Sequence, residues 1–233
     1  MPAYKRTTRK AAAGRRPRTS AADPDTRAAI LKAARAVFAR RGFEGASTRE
    51  VAQVARVNNA MIYYHFKDNL QLYRAVLADS FAAFDRVWEH DIFRSSAPAR
   101  EKIHVYVEEL VRFQHANEEL RRILSLEFAL CGRNMKWLSE RFFSSSYEKL
   151  ARIIKDGIRS GEMKKIDPAL GLSALVGMVV HTFILRPIAE YISGKKMGLE
   201  VQQFSRFVTG MFFDGLGTDG TKHPKRCRRG MAI

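Results

Sequence analysis

Apolar residues along this chain recur at three- and four-residue intervals, and nowhere in the alternating pattern of a half-buried strand. Ile30, Ala34, Val37 and Phe38 mark the inner face of a first helix. Asp23 is placed to cap it, Pro24 to hold its first position and Asp25 to favour its positive end. Gly42 ends it as a C′ glycine, with Phe43 folding back as the apolar contact. Gly45-Ala46 then leads into STREVAQVARVNNAMIYYH, Ser47 to His65, the stretch around which the rest is organised. Ser47 with Glu50 three residues on is a capping box. Val51, Ala52, Val54 and Ala55 form a short apolar face that Arg56-Val57 breaks. Asn58 caps a second short helix, Asn59 to Tyr64, buried through Ile62 with Val57 and Phe66 nearby. Phe38, Phe43, Val51 and Ile62 are expected to form one small core beneath this helix-turn-helix unit.

The remaining pattern predicts further helices. The fourth runs from Asn69 to about Trp88, through Leu70, Tyr73, Val76, Leu77, Phe81 and Phe84. After a turn at Ser95–Pro98 come helices over Glu101–His115 and Glu118 to about Gly132. A break follows over Arg133–Trp137, then a long helix over Ser139–Ser160. Asp167-Pro168 opens another, to about Ser193-Gly194, and a last one covers about Leu199–Leu216. The uncharged run Ala169–Leu185 is 17 residues long, at the lower limit of a membrane span, which needs roughly 20. It contains Ser173, His181 and Thr182. It reads as a helix buried on most sides, with core on one face and a partner subunit on the other, and no membrane is expected.

Composition sharpens this. A 46% apolar content supports a packed core, and the net charge of +17 favours nucleic acid, an anionic surface or acidic partners. The two cysteines, Cys131 and Cys227, form no CxxC pair and fit a reducing cytoplasm. Residues 1–22 carry Lys5, Arg6, Arg9, Lys10, Arg15, Arg16 and Arg18 and no acid, and read as a disordered basic arm. That arm either follows DNA phosphates beside the helix-turn-helix or is a solvated tail. The basic tail over 217–233 reads as solvated. No apolar signal-peptide core is visible at the N-terminus.

Two short helices alone also suit an αα-hairpin inside a helical core; the residues offered to solvent decide. The second helix is expected to present Asn59, Ala60, Met61, Tyr63, Tyr64 and His65. Phenol and imidazole groups beside one another suit a phosphate backbone. Ile30-x-x-Ala33-Ala34-x-x-Val37-Phe38-x-x-x-Gly42-Phe43, then Ser47-Thr48, Val51-Ala52 and Ile62-Tyr63-Tyr64-His65-Phe66, resembles the tetracycline-repressor-like (TetR) family of bacterial regulators over roughly residues 27–77.

The resemblance implies an all-α dimer: a three-helix DNA-binding domain over 23–68, and a larger ligand-binding and dimerisation domain over 69–216 whose last two helices pair with their twofold mates. Helix four would be the mechanical link. The DNA-binding set is Thr48, Arg49, Asn58, Asn59, Ala60, Met61, Tyr63, Tyr64, His65 and Lys67. The position of Thr48 and the Tyr63-Tyr64-His65 run match phosphate contacts of the family. By residue type, Arg49 suits a guanine edge, Asn59 an adenine, and Ala60 and Met61 a thymine methyl. Three positions depart from the family: Arg56 stands where a turn glycine is usual, Met61 replaces a small or hydroxyl residue, and Asn69 stands where a lysine usually grips phosphate, a role Lys67 can take.

No GxSxG, HExxH, Walker or GxGxxG motif is present, and the six histidines lack metal-ligand spacing. No enzyme activity, metal or cofactor is expected. A pocket in the second domain would suit an apolar or aromatic effector, with His104, Glu127, Phe128, Trp137, Phe143, Tyr147 and His181 as candidate contacts. The expected function is a cytoplasmic bacterial repressor released from a palindromic operator by such a ligand. The alternative is a non-specific architectural DNA binder driven by its basic tails.

Overall fold

The computed structural model describes residues 24–130, 132 and 134–216. The Asp23 cap, the basic arm, the basic tail and both cysteines lie outside these residues. The described part forms ten α-helices with no strand element: α1 (Pro24–Gly45), α2 (Thr48–Ala55), α3 (Asn59–Phe66), α4 (Asn69–Phe81), α5 (Ala99–Ala116), α6 (Glu118–Ala129), α7 (Met135–Leu138), α8 (Ser144–Arg159), α9 (Pro168–Ser193) and α10 (Val201–Leu216).

Local signals set most of these ends. Gly42 interrupts α1 with φ 67°, a conformation open to glycine, and one further turn carries Phe43 back onto Phe38 and Tyr73 at ring separations of 6.4 and 4.9 Å. Asp68 caps α4 by accepting from the Gln71 N–H at 2.7 Å, and Asp167 caps α9 by accepting from Ala169 at 2.7 Å, with Pro168 in the first turn.

Two expectations change. The fourth helix does not reach Trp88. It stops at Phe81, and Phe84–Glu89 winds as a 3₁₀ segment. At three residues per turn Phe84 and Val87 eclipse, which seats Val87 in the core and Phe84 4.7 Å from Phe113. The break expected over 133–137 is shorter, because α7 begins at Met135 and runs through a π turn, Ser139–Phe143, into α8. In that turn the Ser144 N–H donates to Ser139 O. The extra residue per turn rotates Phe142 inward and leaves Tyr147 45% exposed.

The apolar side chains form two clusters. The first joins α1–α4 to α6, α7 and the π turn, from Ile30, Phe38, Val51 and Ile62 through Tyr73 and Phe81 to Leu120, Ile123, Leu138 and Phe142. The second joins α5, α8, α9 and α10 around Ile103, Val107, Ile154, Leu175, Phe204 and Phe212. The small core expected under the helix-turn-helix therefore exists, and it is continuous with that of α6. Val54 is the exception in its apolar face, 45% exposed on α2. α9 is long and apolar enough to cross a membrane by length and composition, and only 28% of its most apolar window is buried within the chain, less than the burial on most sides expected. The rest is an apolar face that this single chain leaves open.

Candidate nucleic-acid interface

The interface is built from four helix ends, the two of α2 and the two of α3. Ser47 starts α2 in an extended conformation, and its Oγ accepts from the Glu50 N–H at 3.1 Å. The Glu50 carboxylate lies 3.8 and 3.7 Å from the Arg40 and Arg41 guanidinium groups, so it ties α2 to the end of α1. This is half of the expected capping box, with an ion pair in place of the return bond.

At the other end of α2 the chain turns through Arg56 at φ 58°, ψ 39°. The Arg56 N–H donates to Gln53 O at 3.2 Å and the Val57 N–H to Ala52 O at 3.0 Å. That pair of bonds is a Schellman motif, whose left-handed position glycine usually fills. Asn58 caps α3 by accepting from the Ala60 N–H at 2.9 Å. α3 ends at Lys67, again at positive φ (62°), where the Asp68 N–H donates to Phe66 O at 2.6 Å across a γ-turn. Arg56 and Lys67 are the two non-glycine positive-φ residues among the described ones, and they bracket α3. Such backbone costs energy and clusters at functional sites.

Between these ends, Ile62 and Phe66 pin α3 to the core. Tyr63 and Tyr64 project, 50% and 64% exposed, with Ala60 also exposed. The Tyr63 hydroxyl lies 3.3 Å from Thr48 Oγ1, so α2 and α3 present their hydroxyls together, with Arg49, Arg56 and Lys67 exposed on the same two helices and their turns. Asn59, Met61 and His65 are half-buried rather than fully offered to solvent. Asn59 sits three and seven residues before Ile62 and Phe66, on their stripe, and Met61 and His65 lie one position to its side. Met61 packs against the first cluster, and Asn59 Oδ1 and His65 Nε2 are buried without a partner. Arg27 was not foreseen: exposed on α1, it lays its guanidinium 5.2 Å from the centre of the Phe66 ring, at the end of α3. Its only trace in the sequence is a basic residue off the apolar stripe of α1.

The family model for bacterial regulatory proteins of the tetR family matches residues 30–76, which contain α2, α3 and their frame. These residues carry the TetR-family segment of the chain. The chain is 39% identical over 61 residues to the HTH-type transcriptional repressor NicS of Pseudomonas putida, a match that spans 26% of this chain and 29% of NicS. It is 27% identical over 170 residues to the HTH-type transcriptional repressor SCO4008 of Streptomyces coelicolor, 72% of this chain and 83% of that one. The fold is shared with AibR, solved in complex with isovaleryl coenzyme A and operator DNA, at a TM-score of 0.65 and 21% identity over 81% of this chain and 98% of AibR.

Two departures from the family pattern now have a structural meaning. Arg56 does occupy a left-handed position, at a cost of about 1–2 kcal/mol for a residue with a Cβ. Asn69 donates from Nδ2 to Ala46 O at 3.3 Å and so fixes the connector between α1 and α2.

The candidate effector residues do not converge on one pocket. His104 pairs with Thr209 of α10 (Nδ1 to Oγ1, 3.2 Å), and His181 is exposed on α9. Phe128 is 42% exposed, with its ring 6.3 Å from that of Phe143. Trp137 lies under the Arg74 guanidinium at 4.9 Å. Glu127 is buried and structural: Oε2 accepts from the Tyr73 hydroxyl at 3.0 Å and Oε1 from the Asn134 N–H at 3.1 Å. Burial, and then the Glu127 carboxylate beside it, hold the Tyr73 phenol well above the ordinary tyrosine range. The neighbouring glycine is required by close approach, since a Cβ on Gly132 would sit 2.3 Å from Glu127 Oε1. Between α4, α5 and the π turn, Phe81 stacks on Phe142 at 4.4 Å and meets Phe113 and Phe143 at 5.6 and 5.7 Å, so rings fill that space.

Proposed function

We propose that this chain is a homodimeric, ligand-responsive repressor that reads an inverted-repeat operator in duplex DNA through α3. The observation that carries the reading is the paired presentation of Thr48 and Tyr63, 3.3 Å apart, beside exposed Tyr64, Arg49 and Lys67 on two capped helices pinned from below. Hydroxyls and cations in that arrangement suit phosphate oxygens, and Arg49 and Asn59 suit base edges. Half-burial of Asn59 and Met61 limits how far they reach, so Ala60 and the α2 start carry more of the readout.

The dimer forms through the open faces of α9 and α10. Leu185, Ile188 and Ile192 follow one another at i, i+3 and i+7 and are 54–77% exposed, and Phe207 and Met211 are 61% and 57% exposed. A twofold axis there would set two copies of α3 on half-sites about 34–36 Å apart.

The effector is a small apolar or aromatic molecule that enters by displacing the Phe81–Phe113–Phe142–Phe143 rings. AibR, whose structure holds isovaleryl coenzyme A, is a precedent for a small-molecule partner in this fold. Movement of α6 would reach α4 through Tyr73–Glu127 and α1 through the shared first cluster. Effector binding that favours an arrangement with the two copies of α3 spread apart lowers operator affinity by the same coupling factor with which the operator lowers effector affinity. A cytoplasmic location follows from this role.

Selection of the full-length protein against random duplex DNA at physiological salt tests the reading. An enriched inverted repeat is expected. Enrichment of nothing, with binding that vanishes as salt rises, would refute it in favour of an architectural binder driven by the tails.

A further inference from the structure

Arg56 and Lys67, the strained residues that bracket α3, are both cations, at φ 58° before the helix and φ 62° after it. A left-handed backbone is costly for any residue with a Cβ, whereas glycine adopts it freely. Arg56 gains nothing back within the chain. Its side chain is exposed and, among the described residues, makes no ion pair, hydrogen bond or ring contact. Glu50, the one acid of α2, lies against Arg40 and Arg41, and α3 carries no acid. At the far end of α3, Arg27 reaches across from α1. It is exposed, its guanidinium lies 5.2 Å from the centre of the Phe66 ring, and it too has no acidic partner among the described residues. Stacking on a ring face leaves the in-plane N–H donors of a guanidinium free. Strained backbone of this kind persists where function holds it.

We propose that Arg56 and Arg27 each hold a backbone phosphate of the duplex, one at either end of α3, so that the helix is braced in its groove from both sides. The proposal rests on the DNA-binding reading and adds two contacts to it. α3 has 8 residues, a rise of about 12 Å, and the major groove is about 12 Å wide. A long cationic side chain just beyond each end therefore comes within reach of the phosphates that border the groove. Arginine suits that task, because the guanidinium binds phosphate through parallel N–H bonds and stays charged. Neither residue is placed to read a base. Arg56 stands before Asn58, the cap of α3, and Arg27 stands on α1, over the ring of the last residue of α3. The phosphate contact also gives a reason for arginine where the backbone favours glycine. A glycine would relax the free protein and forfeit the contact, so the strain is offset only on DNA.

Fluorescence anisotropy of the full-length protein on a labelled duplex carrying its selected inverted repeat, and on a shuffled duplex, tests this across a salt series. Arg56→Gln and Arg27→Gln should each flatten the slope of log affinity against log salt by about 0.9, and the double variant by about 1.8. Each deficit is then about three- to fourfold larger at about 50 mM than at about 200 mM salt. Both duplexes should lose affinity equally, the mark of a phosphate rather than a base contact. Arg56→Gly, which relaxes the turn, should lose the same slope, whereas Arg56→Lys and Arg27→Lys should keep it, all with circular dichroism unchanged. If Arg27→Gln loses the fold, Arg27→Met, which keeps an apolar stem for the Phe66 ring, takes its place. An unchanged slope in either uncharged variant overturns the proposal, as does a loss confined to the inverted repeat. A wild type that binds no duplex would end the DNA-binding reading and this proposal together. Wild-type binding with unchanged slopes in the variants would end this proposal alone.

Discussion

Replacing Arg56 by glycine should make this protein more stable and a weaker DNA binder. Arg56 closes a Schellman motif at φ 58°, with its N–H on Gln53 O and the Val57 N–H on Ala52 O. Its side chain is exposed, so little packing is lost. Relief of the left-handed strain returns about 1–2 kcal/mol. The freer unfolded chain of glycine takes back about 0.4–1 kcal/mol. The net gain is about 0–1.6 kcal/mol, centred near 0.8 kcal/mol, which at the centre is a rise in Tm of about 2–3 °C for a chain of this size. Urea unfolding followed by circular dichroism measures it, with Arg56→Ala as the control. Alanine removes the charge and keeps the Cβ, so it should gain nothing. An equal gain in both variants would mean that charge repulsion, not backbone strain, is the cost at this site. A loss in the glycine variant would refute the strain argument. If the guanidinium meets a phosphate, the slope of log affinity against log salt should shrink by about 0.9 in both variants.

Other consequences follow from the same geometry. Tyr73→Phe leaves one oxygen of buried Glu127 without its donor and should cost about 1.5–3 kcal/mol in chemical unfolding at neutral pH. The Tyr73 phenol is held above its unfolded value of about 10. The folded state therefore keeps its proton when the unfolded state has lost it, so this contribution is whole below pH 10 and is lost as pH rises further. The Phe variant should show a shallower alkaline fall in unfolding free energy than the wild type. Arg49→Ala and Tyr63→Phe should each lower operator affinity with the fold intact by circular dichroism, and unchanged affinity in both would place the DNA elsewhere. Ile188→Glu with Phe207→Glu puts charge on the open α9–α10 face and should yield monomers in sedimentation, whereas a retained dimer would move the interface.

The frame of α1–α3 was legible because its signals are local. Ser47 and Asn58 cap within three residues, Gly42 supplies a conformation that side chains resist, and Ile62 with Phe66 fixes which way α3 faces. The strain at Arg56 was conditional in the sequence, since only the anchoring of Val57 makes a left-handed residue necessary there. The early stop of α4 and the π turn before α8 were not legible. Both arise from partners distant in sequence: Phe84 reaches Phe113, and Phe142 reaches Phe81. For the same reason helical spacing alone exposed Met61 and His65, which the neighbouring core half covers. Which aromatic residues of the second domain would face a ligand was not legible, because composition does not say whether rings face a ligand or one another. Glu127 carried a usable clue, a lone acid in an apolar stretch, and its partner proved to be the tyrosine of α4.

The central claim is that α2 and α3 read sequence rather than merely charge. Its most direct test is the affinity of the full-length protein for its selected inverted repeat and for a shuffled duplex of equal length, both at physiological salt. The account predicts a preference of about 10³ or more, most of it lost in Arg49→Ala and when one half-site is scrambled. A ratio near one, with both affinities falling equally steeply as salt rises, would contradict it.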